Sequence, residues 1–427
     1  MPSIFLNSVS FEKFREIALY FVKNGNADVL LGSPLFPDSC TSYIGLTPTN
    51  ELILEADIPA DEIASAMRSF SFSDANPTIG YFTYECGFAL RGVTSRKDRQ
   101  YPSGHLKKYA AVLTHDASTE TMEVVAVEEQ SLSDILCLIK KISPVPEVEL
   151  PDFKPEYISM SLGKESYEKG VAQTLEYIKD GLTYQLNLST QFTINDINFD
   201  PLLWFFTLNK RYPAPYYALF KSCGKLIIST SPELFLKVEN GCVRSEPIKG
   251  TLRFDEYSDD LIKQLTSSAK EDSELSMIVD LVRNDISREC KYGSVTVEKH
   301  KSVFAVDNLL QMYSVVHGEL ADGKDCIDLF LSAFPGGSIT GCPKKSSMEL
   351  IDMLEPHTRG PFCGSIVMIK GPKDLVSSIA IRTAVYDESE NKLTYWAGSG
   401  IVIDSDPREE FLETMAKAGK IIDPEGM

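Results

Sequence analysis

The sequence has little of what would send a chain to a membrane, to nucleic acid or to a transition metal. No apolar run approaches the roughly 18 residues that a membrane span needs. The opening stretch, "MPSIFLNSVSFEKF", lacks a basic segment followed by an apolar one, so no secretory leader is expected. Positive charge is in deficit: 42 Lys and Arg face 61 Asp and Glu, a formal net charge of -19. That balance disfavours nucleic acid and anionic lipid, and an anionic substrate would need local cations or a metal. The five histidines show no ligand spacing with cysteine or with each other, which speaks against zinc. Nine cysteines, an odd number with no C-x-x-C pair, suggest a reduced, cytoplasmic protein. There is no P-loop spacing, no internal repeat and no low-complexity block.

What is present is a core-forming composition: 427 residues, 43 % apolar and 10 % aromatic. The clearest seam is "ISPVPEVELPDFKPEYISM", where Pro144, Pro146, Pro151 and Pro155 predict an extended linker over 144–158. It would separate a region 1–143 from a larger one, 159–424. Runs such as "YQLNLSTQFTI", "YYALFKS" and "KLIISTS" follow one another with hairpin-like gaps. They predict an α+β fold with largely antiparallel sheets, a long helix near 258–287 and a last helix beyond Pro407.

Several stretches could carry chemistry. In "KEDSELSMIVDLVRND", Glu271 and Glu274 share a helical face. An isolated E-x-x-E is more often a solvated face, but a second one follows near the C-terminus, where Glu410, Glu413 and Lys417 align behind the helix start at Asp406-Pro407. Two helices that each offer a carboxylate pair make a plausible Mg²⁺ site, since Mg²⁺ takes oxygen ligands and one or two carboxylates. "PGGSITGCPK" sets small residues and backbone N–H groups, including Thr340 and Gly341, ahead of a helix, a geometry that holds carboxylate or phosphate. Arg382 interrupts the strand-like "SIAIRTAVYD", at an edge or as a carboxylate clamp. Gly398 and Gly400 permit close approach of a ligand to backbone. "SEPIKGTLRF" reads as a strand that breaks at Gly250-Thr251, with Lys249 directly before the break.

In this order, "PIKGT", "KEDSELSMIVDLVRND", "PGGSITGCPK", "SIAIRT" and "AGSGIVIDSDPREEFLET" resemble the chorismate-utilising enzymes over about residues 160–420. "TIGYFTYECG" resembles the N-terminal part of the amino-transferring members. The resemblance implies two large antiparallel sheets in a sandwich, helices outside and the site in a cleft. It implies Mg²⁺ held by Glu274 and Glu413, with Glu271 and Glu410 beside them. Arg382 would hold the enolpyruvyl carboxylate of chorismate with the Gly250-Thr251 backbone; Gly398, Ser399, Gly400, Thr340 and Lys417 would surround the ring carboxylate.

Within the family, Gln185 stands where the water-using members carry a lysine base, which argues against those members. Glu233 matches the general acid that protonates the departing C4 hydroxyl. Lys249 matches the members that aminate C4 on the route to 4-aminobenzoate and folate, whereas C2-aminating members have a small residue there. A lysine amine adding at C2 and later displaced is covalent catalysis. Amination implies ammonia from a separate glutamine amidotransferase, because the lone His317-Gly318-Glu319 has no cysteine nucleophile motif before it. C2 amination and a non-catalytic, fold-sharing subunit are the alternatives. Gln311, Phe362 and the Leu-Arg-Phe after Gly-Thr depart from the family pattern. Ser33, Pro215, Tyr216 and Tyr217 could line a tryptophan-like pocket, with core packing as the alternative.

Overall fold

The computed structural model describes residues 1–142, 158–253, 258–306 and 309–422. Its strands are antiparallel throughout, and period-two alternation decides which face each side chain joins. In the Lys225–Ser231 strand, Ile227 enters one core cluster while Leu226 and Ile228 enter another.

Pairing runs in two directions from the long Gly104–Asp116 strand. One series passes through Thr41–Leu54, Ala27–Leu31, Tyr216–Ser222, Lys225–Ser231, Thr383–Asp387 and Lys392–Ile401 to Gln185–Asn195. The other passes through Thr78–Phe82, Ser365–Gly371, Asp374–Ile379, Leu234–Glu239 and Cys242–Glu246 to Leu309–Glu319, which also pairs with Ile248–Arg253 and Thr296–Val306. The two series form a sandwich. Phe220, Ile227 and Val385 of the first share a core with Phe235, Ile366 and Met368 of the second. The outer face of the first series packs on helices Phe11–Asn24, Pro201–Arg211 and Pro407–Ile422, through residues such as Phe14, Trp204 and Ala418. This is the expected architecture.

The expected linker lies outside the described residues, apart from Ile158. Strands from either side of it pair directly: Val29–Leu31 with Tyr217–Leu219, and Thr78–Phe82 with Ser365–Ile369.

Three local expectations change. The helix near 258–287 is two helices, Asp259–Thr266 and Ala269–Ser287. The first ends at Ser267, whose N–H bonds to the Lys263 carbonyl, in a serine pair that competes with helix continuation. Arg382 is not within a strand. It stands between Asp374–Ile379 and Thr383–Asp387 with a φ of +51°, because the chain changes sheets there. Nor does the chain break at Gly250, which is a bulge inside the Ile248–Arg253 strand.

Gly398, in the Lys392–Ile401 strand, is forced by packing. A Cβ on Gly398 would stand 2.4 Å from the Leu188 carbonyl oxygen and 2.9 Å from the Ser189 Cα, both backbone atoms that cannot swing away. Gly398→Ala is therefore expected to cost about 1–3 kcal/mol of stability. A thermal midpoint equal to that of the unsubstituted protein would contradict this packing.

Candidate active site

The chain crosses between the two sheets at neighbouring points, and each crossing carries a charged residue. Glu233 lies between Lys225–Ser231 and Leu234–Glu239, and Arg382 lies between Asp374–Ile379 and Thr383–Asp387. The crossings are tied together: Ile379 N–H donates to the Glu233 carbonyl at 3.1 Å, and Thr230 N–H donates to the Arg382 carbonyl at 3.0 Å.

Lys249 reaches the same place through the bulge. It sits opposite Met312, while Thr251 sits opposite Gln311, so Gly250 is an extra residue. Gly250 has a φ of +74°, which glycine adopts without a steric cost. Such a bulge bends the strand and re-aims its side chains. A methyl group built on Gly400 would lie 3.4 Å from Lys249 Nζ and 3.8 Å from Gln185 Nε2. Lys249, Gln185 and Gly400 thus converge on one spot.

Glu233 is 5 % exposed, and Ser338 donates to its Oε1 at 2.8 Å. Burial pushes its carboxyl up to about 7, against the lowering effects of the Ser338 hydroxyl, Lys249, Arg382 and Lys417. The three cations are close enough for their fields to act on one acid. Burial holds the Arg382 guanidinium below its ordinary value, offset in part by Tyr395, Tyr217 and Glu233. An acid near neutrality among three cations can give up a proton to a leaving group on a bound anion.

Gly398, Ser399 and Gly400 lie opposite Ser189, Leu188 and Asn187. The Ser399 and Tyr167 hydroxyls share a bond of 3.0 Å. Gly341 and Cys342 pair with Leu186 and Gln185 at the other edge of the same strand. Thr340 is fully buried, and its carbonyl accepts from Asn187 N–H at 2.9 Å. Gly337 lets this segment lie on the Ala269–Ser287 helix, since a Cβ there would stand 2.2 Å from Leu281 Cδ2. Gln185 is 1 % exposed, yet neither its Oε1 nor its Nε2 has a partner among the described residues. An amide buried without protein partners is costly unless water or a bound molecule completes its bonding.

The acidic positions divide. Asp406 caps the last helix by accepting from Arg408 N–H and Glu409 N–H. Glu410 is buried and accepts from the Ser405 hydroxyl at 2.6 Å. Glu413 is half exposed and pairs with Lys417 at 2.7 Å; Lys417 also donates to the Gly398 carbonyl at 3.3 Å. Glu274 is partly buried on the Ala269–Ser287 helix. The Glu271 and Thr251 side chains lie outside the described residues. Among those described, no group of three or more His, Cys, Asp or Glu could hold a metal ion. The all-carboxylate donor set still fits Mg²⁺, which needs only one or two protein carboxylates and fills the rest with water and substrate oxygen.

Other predicted residues gather elsewhere. Pro215, Tyr216 and Tyr217 line a cavity of about 190 Å³ with Gly32, Ser39 and Lys370. Ser33 is buried next to that wall but does not line it. Phe362 stacks on Trp396 with ring centroids 6.1 Å apart. His317 pairs with Glu298 at 2.6 Å. The sequence reading missed the role of Ser338 beside Glu233, although it lies inside a motif already singled out. It also missed Asn187, which carries no sequence signal, and Glu355 and Arg359, whose signal is an acid and a base four residues apart around Pro356 and His357.

A sandwich of interleaved antiparallel sheets with helices on its outer face is the fold of the chorismate-utilising enzymes. The sequence profile described as chorismate binding enzyme matches residues 37–423, and the chain belongs to that family. It is 30 % identical over 354 residues to aminodeoxychorismate synthase component 1 of Bacillus subtilis, covering 80 % of this chain and 75 % of that one. It is 38 % identical over 263 residues to an anthranilate synthase component 1 of Haloarcula marismortui, covering 61 % of this chain and 52 % of that one. The chain thus spans about half the length of that relative. Anthranilate synthase component I from Streptococcus pneumoniae superposes with a TM-score of 0.79 at 25 % identity, covering 90 % and 92 % of the two chains. The menaquinone-specific isochorismate synthase from Escherichia coli shares the fold, with a TM-score of 0.74 at 13 % identity over 98 % of this chain and 93 % of that one. No helix among the described residues is long and apolar enough to cross a membrane.

The protonated fraction of Glu233 falls as pH rises through about 7, so turnover that draws on this proton falls above that pH. Ser338→Ala removes a bond that favours the ionised form, and the falling limb of the pH–rate profile should move to higher pH. A limb that stays in place would separate Ser338 from the titrating acid.

Proposed function

We propose that the protein is component I of an aminodeoxychorismate synthase, which converts chorismate and ammonia to 4-amino-4-deoxychorismate. The observation that carries this reading is Lys249. An amine stands at the bulge, beside the amide of Gln185 and the bare backbone of Gly400.

In this reading Lys249 releases its proton to solvent, its amine adds to C2 of chorismate, the ring double bonds shift, and the C4 hydroxyl departs with the proton of Glu233 as water. Ammonia then adds at C4, the double bonds shift back, and the lysine nitrogen leaves C2. Glu233 recovers its proton from the new ammonium group, so the net change replaces hydroxyl by amine. Arg382 and the Gly250-Thr251 backbone hold the enolpyruvyl carboxylate, while Gly398, Ser399, Gly400, Thr340 and Lys417 receive the ring carboxylate. Gln185 offers an amide and no basic nitrogen, so water is not activated at C2. Mg²⁺, held by Glu274 and Glu413 with Glu271 and Glu410 beside them, would neutralise and orient the ring carboxylate when bound. The ammonia comes from a separate glutamine amidotransferase subunit, and the enzyme works in the cytoplasm. The cavity beside Pro215, Tyr216 and Tyr217 is a candidate for a tryptophan-like ligand.

Incubation with chorismate, Mg²⁺ and ammonium salt, with products identified by mass, tests the assignment. Aminodeoxychorismate is expected, with no product when Mg²⁺ is withheld. Anthranilate instead would make this a C2-aminating enzyme, and no chorismate consumption under any ammonia supply would make it a non-catalytic subunit. In Lys249→Ala, amination should fall by orders of magnitude while chorismate binding survives. A comparable rate in that variant would rule out the covalent route.

A further inference from the structure

Behind the candidate site lies a buried ion pair that none of the roles above uses. Arg359 is 1 % exposed, and its guanidinium makes four bonds in two directions. Toward Glu355 it donates from Nε at 3.0 Å and from Nη2 at 2.7 Å. Toward the site it donates from Nη1 to the Ile339 carbonyl at 2.8 Å and from Nη2 to the Asn187 carbonyl at 2.7 Å. Its flat face covers the Tyr84 ring at 4.5 Å. Glu355 reaches the same strand, because its Oε1 accepts both the N–H and the hydroxyl of Ser189 at 2.8 Å. The main chain of Arg359 is fixed in turn by Glu85, whose two oxygens accept from the N–H groups of Arg359 and Gly360 at 2.7 and 2.9 Å.

The atoms held at the far side of this pair are backbone atoms of the substrate cradle. Ile339 precedes Thr340 and Gly341. Asn187 and Ser189 lie opposite Gly400 and Gly398, and Asn187 N–H bonds to the Thr340 carbonyl. We propose that the Glu355–Arg359 pair is a positioning device that locks the Ile339–Gly341 turn to the Gln185–Asn195 strand, and so fixes the backbone that receives the substrate. A guanidinium suits this task because its planar fork presents several donors at fixed angles, which an ammonium cannot reproduce. A carbonyl released from Nη1 would let the turn drift relative to Gly398–Gly400. Displacement by about 1 Å in such a cradle can cost on the order of 100-fold in rate.

The proposal rests on the reading that this cleft handles chorismate, and the test keeps the two apart by measuring consumption of chorismate whatever the product. Unsubstituted protein that consumes none overturns the functional reading before any variant is made. With an active parent, Arg359→Lys and Glu355→Gln are compared with it for kcat, KM for chorismate and thermal midpoint. Glu355→Gln is close to isosteric and keeps the packing if Arg359→Lys does not fold. The expected result is a rise in KM of about 10-fold or more in folded protein, with kcat/KM falling by about 10- to 100-fold. Unchanged KM and kcat overturn the proposal. Loss of active molecules with KM unchanged, or insolubility of both variants, also overturns it, because the pair would then serve folding alone.

Discussion

The antiparallel seam between Gln185–Asn195 and Lys392–Ile401 is the constraint on which the candidate site depends. It holds ten consecutive registered positions, from Lys392 opposite Asn195 to Ile401 opposite Leu186. A slip of one residue would turn every side chain to the other face, sending Trp396 out of one core and Tyr395 out of the other. The two cores therefore pin the register, and the register in turn brings Gly400 beside Gln185. Lys249 meets this spot from the other sheet only because one glycine is inserted into its strand. The geometry of the candidate site is a by-product of strand arithmetic: a seam in phase on one side, and a strand one residue out of phase on the other.

Two buried carboxyls show how neighbours decide charge inside such a sandwich. Burial pushes Glu233 up to about 7, and the surrounding cations compensate only in part. Burial also opposes ionisation of Glu355, but the Arg359 guanidinium in direct contact outweighs it, and Glu355 is held below the usual carboxylate range. One acid is thus left able to move a proton, while the other is locked as an anion. His357, next to Glu355, is driven by burial down to about 4, so its imidazole is neutral at physiological pH. Breaking a buried pair like Glu355–Arg359 costs about 3–5 kcal/mol, because the survivor is left charged without a partner. The separation of roles follows from contact distance: Glu233 feels its cations across space, whereas Glu355 is hydrogen-bonded to its own.

Much of this was legible in the sequence where local chemistry is unusual. Lys249 before Gly-Thr, Glu233 after a proline, and the paired glycines at 398 and 400 are each odd in their own neighbourhood, and the ordered motifs gave the sandwich. Long-range assembly was harder to read. "SIAIRTAVYD" looks like one strand because nothing in its composition shows that the chain leaves one sheet at Ile379 and enters the other at Thr383. Gly250 looked like a strand end, since a bulge and a break share the same residue chemistry and only the partner strand tells them apart. Arg359 was invisible for a related reason: its carbonyl partners, at Ile339 and Asn187, have no side-chain signature. The carboxylates of the two E-x-x-E segments were found by spacing, but spacing within a helix says nothing about the distance between helices.

The interleaving of the sheets has a consequence for how the chain is made. Tyr81 pairs with Ile366, and Leu219 with Val29, so the early strands cannot complete their ladders until much later segments exist. Contacts this distant in sequence form slowly, since loop closure must precede any gain. During synthesis the Thr78–Phe82 strand, buried on all five residues in the finished protein, waits with an open edge until Ser365–Gly371 has been translated. The N-terminal third thus carries unsatisfied sheet edges until the later strands are made, and open edges of this kind are prone to pair with other chains.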